Sequence, residues 1–285
     1  MASLKQIKRR ISGVTSTRQI TRAMKMVAAA KMKRAQNNME TARPYAWRLR
    51  EVIATIAQHT SQELHPLLDV REPNRIGIVT VTSDRGLCGS FNVNIARRTL
   101  KVLEKYAGYD VQLFTIGRKG NEFFRKRGVP IFHYFPSVVG EMDFSQATEI
   151  GREIIELYTS GSFDRIILVY NEFKNAVSQN IVEEVLLPID PGPDESGGGS
   201  DDFLFEPSAE LVLDSLLPMH INIQLWRVIL ESYAAEQAAR MSAMENATEN
   251  ASELIYDLTL QYNKVRQTMI TKEILEIVSG AEGLK

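Results

Sequence analysis

Apolar residues Leu4, Ile7, Ile11 and Val14 open the chain with 3-4-3 spacing, and no proline interrupts before Pro44. That spacing is the seam of a helix that packs along another helix. Ser3 and Gln6 form a capping-box pattern at its start, and strong helix formers dominate from Thr21 to Gln36. The seam is read as shifting to Ile20, Met24, Val27 and Ala28. These signals predict one helix from Leu4 to His59, with Pro44 as the place for a bend; at ~1.5 Å per residue it extends roughly 80 Å.

A matching feature closes the chain. Residues 208–278 read as helix, with Pro218 expected to kink or break it near its start and Gly280 expected to stop it. Ala247, Ala251, Leu254, Leu258, Tyr262 (or Gln261), Val265 and Met269 supply the apolar spacing. The Ala- and Ser-rich stretch 232–251 lets a partner helix come close. Neither seam is stable in water by itself, so the economical arrangement is an antiparallel coiled coil of the two terminal helices. Charge agrees with that pairing. The first fifty residues carry thirteen Lys or Arg against one acid, Glu40, whereas acids outnumber bases by ten after residue 190. Exposed ion pairs contribute only about 0–1 kcal/mol each, so the apolar seam must supply most of the stability.

The middle of the chain has a different period. RIGIVTVT at 75–82, VQLFTI at 111–116 and RIILVY at 165–170 are short β-branched runs of the kind buried on both faces of a sheet. Helical stretches at 93–106, 119–127 and 144–160 separate or flank them, and 181–189 offers a further strand. Alternation of this kind implies βαβ crossovers and a mainly parallel sheet. The fold class expected is therefore α/β: a long antiparallel coiled coil of N- and C-terminal helices plus a Rossmann-like βαβ domain. The expected division is 1–60 for the first helix, 74–190 for the sheet domain, 190–206 for an acidic Gly-rich loop (DPGPDESGGGSDD) and 207–285 for the last helix.

Composition narrows the function classes. With 44% hydrophobic and 24% charged residues the chain is an ordinary water-soluble sequence, and no apolar run reaches the ~18–20 residues of a membrane span. A single cysteine, Cys88, excludes an internal disulfide framework and fits a reducing compartment. The basic N-terminus has the composition of an organelle transit peptide, but its helical pattern continues past the point where a presequence is removed. Its cations fall all around the helix and aromatics are absent before Tyr45, which argues against a nucleic-acid stripe or a membrane-surface helix. Met24, Met26, Met32 and Met39 read as packing residues.

SDRGLCGSFN at 83–92 follows the first strand and precedes a helix, the place of nucleotide-binding loops. It lacks both G-x-G-x-x-G and the Gly-Lys-Ser/Thr of a P-loop, so it reads as a tight turn in which Gly86 and Gly89 supply unusual backbone angles. Cys88 has no partner base in sequence, and His59, His65, His133 and His220 are too scattered for a metal signature. No cofactor or metal is expected. The alternative to a mechanical role is a Rossmann-like nucleotide-binding protein or enzyme with coiled-coil arms.

ITKEILEIVSGA at 270–281 is similar to the C-terminal signature of the gamma subunits of F-type ATP synthases, with Gly283 departing from the small or basic residue usual there. QITRAMKMVAAAKM at 19–32, SDRGLCG at 83–89 and EQAARMSAM at 236–244 resemble three further blocks of that family, in the same order and over essentially the whole chain. The resemblance implies a central-stalk rotor without a catalytic site of its own, present once per complex as a non-catalytic subunit of an H+-transporting two-sector ATPase. It implies alpha and beta subunits in a ring of three each, an epsilon subunit and a membrane c-ring as partners. The chloroplast redox insert is absent, so the resemblance implies a bacterial form on the cytoplasmic face of the plasma membrane. Carried over by position, Arg22, Met24, Lys25, Arg240, Arg266, Gln267, Thr271 and Glu273 are expected at rotor–stator contacts. Ile274, Leu275, Ile277 and Val278 are expected in an apical bearing, and Phe203, Phe205 and Glu206 on the c-ring.

Overall fold

The computed structural model describes residues 4–59, 65–136, 143–175, 179–190 and 208–282. The chain runs α1 (Leu4–His59), β1 (Arg75–Val81), α2 (Phe91–Lys105), β2 (Asp110–Ile116), α3 (Arg118–Lys126), β3 (Ile131–Phe135), α4 (Phe144–Thr159), β4 (Arg165–Phe173), β5 (Gln179–Leu187) and α5 (Ala209–Glu282). Its contacts divide it into two compact units: Met1–Ala28 with Arg240–Lys285, and Ala29–Ala239.

The second unit holds a five-stranded sheet in the order β3-β2-β1-β4-β5. β1, β2, β3 and β4 pair in parallel, and β5 joins β4 antiparallel as an edge strand. Alternate residues of each central strand face opposite layers, as the period of two requires. Ile76 and Ile78 of β1, with Leu113, Ile167 and Val169, pack with α2 and α3. Val79 and Val81, with Phe114, Ile116, Leu168 and Tyr170, pack with α4 and with the parts of α1 and α5 in this unit. Both faces are covered, which is why the strands read as continuous apolar runs rather than alternating ones. The expected α/β class with parallel crossovers is the observed one. The strand β3 was not anticipated: IFHYF follows Pro130 and is only partly buried at the sheet edge.

The first unit is a helix pair. Thr21 Oγ1 lies 2.7 Å from Thr248 Oγ1, and Lys25 pairs with Glu245, so the two helices run antiparallel. Burial shows where sequence and structure part. The seam begun at Leu4 does not shift: it continues through Arg18, Thr21, Lys25 and Ala28, all at least half-buried or buried, in unbroken 3-4 spacing. Ile20 is 60% exposed and Val27 55% exposed, so both lie on the outer face. Polar residues occupy heptad positions there, and pattern reading moved to the nearest apolar ones instead. On α5 the buried or half-buried row is Met244, Thr248, Ala251, Ile255, Leu258, Tyr262 and Val265, which keeps Ala251, Leu258, Tyr262 and Val265 of the expected row, while Leu254 and Met269 are exposed.

Neither a break at Pro218 nor a stop at Gly280 is present. Pro218 lies inside α5 without ending it, and the helix passes Gly280 to Glu282. In the third turn a proline removes one intrahelical bond and crowds the carbonyl four residues back, costing roughly 3 kcal/mol, and a terminal glycine costs about 1 kcal/mol; α5 continues through both. Ser3 of the capping box, Gly283 and the loop 191–202 lie outside the described residues, as do Phe203, Phe205 and Glu206.

Candidate functional site

The β1–α2 loop was the one place where nucleotide chemistry was conceivable. Ser83 ties it together: its N–H donates to Asn92 Oδ1 at 3.0 Å and its hydroxyl to the Arg85 carbonyl at 2.6 Å. The start of α3, the helix after β2, is tied to the same loop. Arg118 N–H donates to Asp84 Oδ1 at 2.9 Å, Lys119 N–H to the Ser83 carbonyl at 3.0 Å and Gly120 N–H to Thr82 Oγ1 at 2.8 Å. The Asp84 carboxylate thus caps the start of α3. Left-handed backbone is supplied by Leu87 (φ 64°) and Gly89 (φ 58°) rather than by Gly86. Cys88 is buried within this loop, with Asn92 Nδ2 3.3 Å from its sulfur. Among the described residues no group of His, Cys, Asp and Glu is placed to hold a metal ion. A groove of about 540 Å³ between α1, α4 and α5 is walled by Tyr45, Phe144, Met219, Ile223 and Trp226, and offers no cation for a phosphate.

The exposed helix surfaces are the remaining candidates. Arg22 is exposed, Met24 half-buried, and the half-buried ammonium of Lys25 is held by Glu245 across the pair. Arg240 is 9% exposed and faces protein rather than solvent. Beyond Val265 the character of α5 changes: every residue from 266 to 280 is exposed. Arg266, Gln267, Thr271 and Glu273 lie in this stretch, with the Thr271 hydroxyl donating back to the Gln267 carbonyl at 2.9 Å. Ile274, Leu275, Ile277 and Val278 are 55%, 62%, 71% and 50% exposed. With Thr21 opposite Thr248 and Lys25 opposite Glu245, the register runs out of α1 near Val265, so the tip of α5 stands alone. Four large aliphatic side chains are thus exposed within five residues of one another. These four residues were expected here from the family resemblance alone.

A further constellation was not anticipated. Arg227 of α5 directs its guanidinium at Glu184 of β5, Tyr170 of β4, and Gln224 and Glu231 of its own helix. Burial raises the Glu231 carboxyl above its ordinary value although Arg227 opposes the shift. Nearby, burial followed by the charges of Arg50 and Arg227 lowers His220 to about 4.

The first unit is thus a helix pair with bare aliphatic side chains toward the end of α5, and the second a Rossmann-like, mainly parallel sheet covered on both faces. Comparison with known proteins identifies the group. A family profile described as ATP synthase matches residues 3–284. The chain is 50% identical to the ATP synthase gamma chain of Chlorobaculum parvum and 51% identical to that of an Anaeromyxobacter species, in both cases over the whole of each chain. Among solved structures it resembles a chain of the Tetrahymena thermophila mitochondrial ATP synthase central stalk and c-ring, at 27% identity and TM-score 0.62, covering 80% of this chain and 99% of that one. A chain from the Euglena gracilis mitochondrial enzyme shares the fold at TM-score 0.67 and 20% identity, covering 99% and 94%. The chain belongs to the ATP synthase gamma-chain family.

Proposed function

We infer that this chain is the central rotor shaft of an F-type ATP synthase, coupling ion flow through a membrane c-ring to the conformational cycle of catalytic beta subunits. The observation that carries this reading is the lone tip of α5, whose aliphatic residues gain roughly 1 kcal/mol or more each when another protein covers them. In the family such a tip turns inside the top of a ring of three alpha and three beta subunits. Ile274, Leu275, Ile277 and Val278 are the bearing surface. Arg22, Met24, Lys25, Arg266, Gln267, Thr271 and Glu273 meet the beta subunits, and Arg240, being buried, braces the shaft.

The sheet domain, 74–190, is the foot that joins the epsilon subunit and the c-ring, the latter with Phe203, Phe205 and Glu206. No described helix is long and apolar enough to cross a membrane, so the foot reaches the cytoplasmic face of the bacterial membrane through its partners. The mechanism is coupling by differential contact: each orientation of an asymmetric shaft stabilises one nucleotide-affinity state of the adjacent beta subunit over the others. The chain itself contributes no catalytic group, and one copy serves the complex.

Co-purification tests this directly. The tagged chain is expected once beside three copies each of two larger nucleotide-binding subunits. Saturable nucleotide binding by the isolated chain in calorimetry, without such partners, favours the Rossmann-like binding protein instead.

A further inference from the structure

Five hydrogen bonds run from the three nitrogens of the Arg227 guanidinium. Nε donates to Gln224 Oε1 at 2.8 Å. Nη1 donates to Tyr170 Oη at 3.0 Å and Glu231 Oε1 at 3.3 Å. Nη2 donates to both Glu184 carboxylate oxygens, at 2.9 and 2.8 Å. The Tyr170 hydroxyl donates in turn to Glu184 Oε2 at 2.8 Å, closing the network.

The partners fall into two groups. Gln224 and Glu231, one turn before and one after on α5, hold the guanidinium plane. Tyr170 and Glu184 belong to β4 and β5. Around this network the same stretch of α5 contributes Leu225, Val228, Ile229 and Tyr233 to the apolar core, with Ser232, Glu236 and Gln237 also buried. Apolar packing resists separation but is non-directional, so it opposes turning of a helix about its own axis only weakly. A planar fork bonded at both ends does oppose it, because its hydrogen bonds are charge-assisted and fixed in angle.

We propose that Arg227 is the positioning residue that locks the angular setting of α5 on the sheet, so that torque passes between sheet and shaft helix without slip. This rests on the rotor reading above. Lysine at this position keeps the charge but not the fork, whereas glutamine loses both.

The experiment uses the chain assembled with its alpha, beta, epsilon and c-ring partners. The alpha–beta ring is immobilised, rotation is stalled, and the angular fluctuation of a bead attached to the foot is recorded. For Arg227→Gln the mean-square fluctuation is expected to widen by up to roughly a factor of two, since charge-assisted bonds are about twice as strong as neutral ones and mean-square amplitude varies inversely with stiffness. The ratio of ions pumped to ATP hydrolysed is expected to fall with it. Arg227→Lys is expected to stay wide; wild-type stiffness in that variant would overturn the role of the fork. Ile229→Val is the control for stability alone, and equal widening there would also overturn the proposal. Should Arg227→Gln not assemble, Glu184→Gln removes one charged acceptor, and an unchanged fluctuation in it counts against the lock. A wild-type chain that fails to assemble overturns the rotor reading itself, a result distinct from wild-type stiffness in the variants.

Discussion

Thr21 and Thr248 meet hydroxyl to hydroxyl at 2.7 Å in the seam of the helix pair, and each also donates to or shares a backbone carbonyl of its own helix. A polar pair at a seam position fixes register, because sliding one helix past the other leaves both hydroxyls against apolar neighbours. Thr21→Val is expected to cost about 1 kcal/mol, and the double variant with Thr248→Val to recover most of it. A double-mutant cycle by chemical denaturation measures the coupling; additive single effects would show that the pair carries none.

Acid is expected to weaken the second unit through His220. The unfolded chain takes up this proton near its ordinary value of 6.5, whereas burial in the folded chain holds it to about 4. The native state thus binds fewer protons between those values, and the stability present above pH 6.5 is lost as the pH falls to 4. The loss amounts to about 3 kcal/mol. Burial lowers His65 as well, with Asp214 and Glu210 opposing, so it acts in the same sense. Denaturation midpoints of His220→Gln between neutral pH and pH 4 should fall less steeply than those of the wild type.

Gly117 precedes α3 at φ 91°, and a Cβ there would stand 2.1 Å from the Thr82 carbonyl oxygen. Because the obstacle is backbone, Gly117→Ala is expected to destabilise by about 2 kcal/mol or more. Thermal unfolding decides it. By contrast, Gly128→Ala has the same backbone handicap at φ 69° but open space, and should lose less.

Replacing Leu275 and Ile277 by Asp leaves the isolated chain within about 0.5 kcal/mol of its original stability, since neither side chain is packed. Assembly with an alpha–beta ring should suffer instead. Normal assembly in a pull-down with the variant would exclude the tip as a bearing.

Much of this was legible in the sequence where one period ran undisturbed. The span of α1 and the buried strands β1, β2 and β4 follow from such runs, as does the antiparallel pairing. Reading failed where local and tertiary demands disagreed. Thr21 and Lys25 sit at seam positions because Thr248 and Glu245 answer them from more than two hundred residues away, which no local window reveals. β3 was missed because its aromatic residues are half-exposed on an edge. Nothing in the sequence marks Arg227, because its partners Tyr170 and Glu184 arrive on β4 and β5. The polar candidates at the tip, from Arg266 to Glu273, are no different in kind from residues that merely keep a helix wetted.

The uninterrupted 3-4 row of the first unit has a mechanical corollary. A seam repeating every 3.5 residues on helices of 3.6 residues per turn must wind the pair left-handed. A two-stranded rope of fixed hand does not respond equally to both senses of twist: one sense winds the strands together and compresses the seam, the other unwinds and slackens it. The shaft is therefore stiffer against one direction of drive than against the other, and that bias is written in the spacing from Leu4 to Ala28.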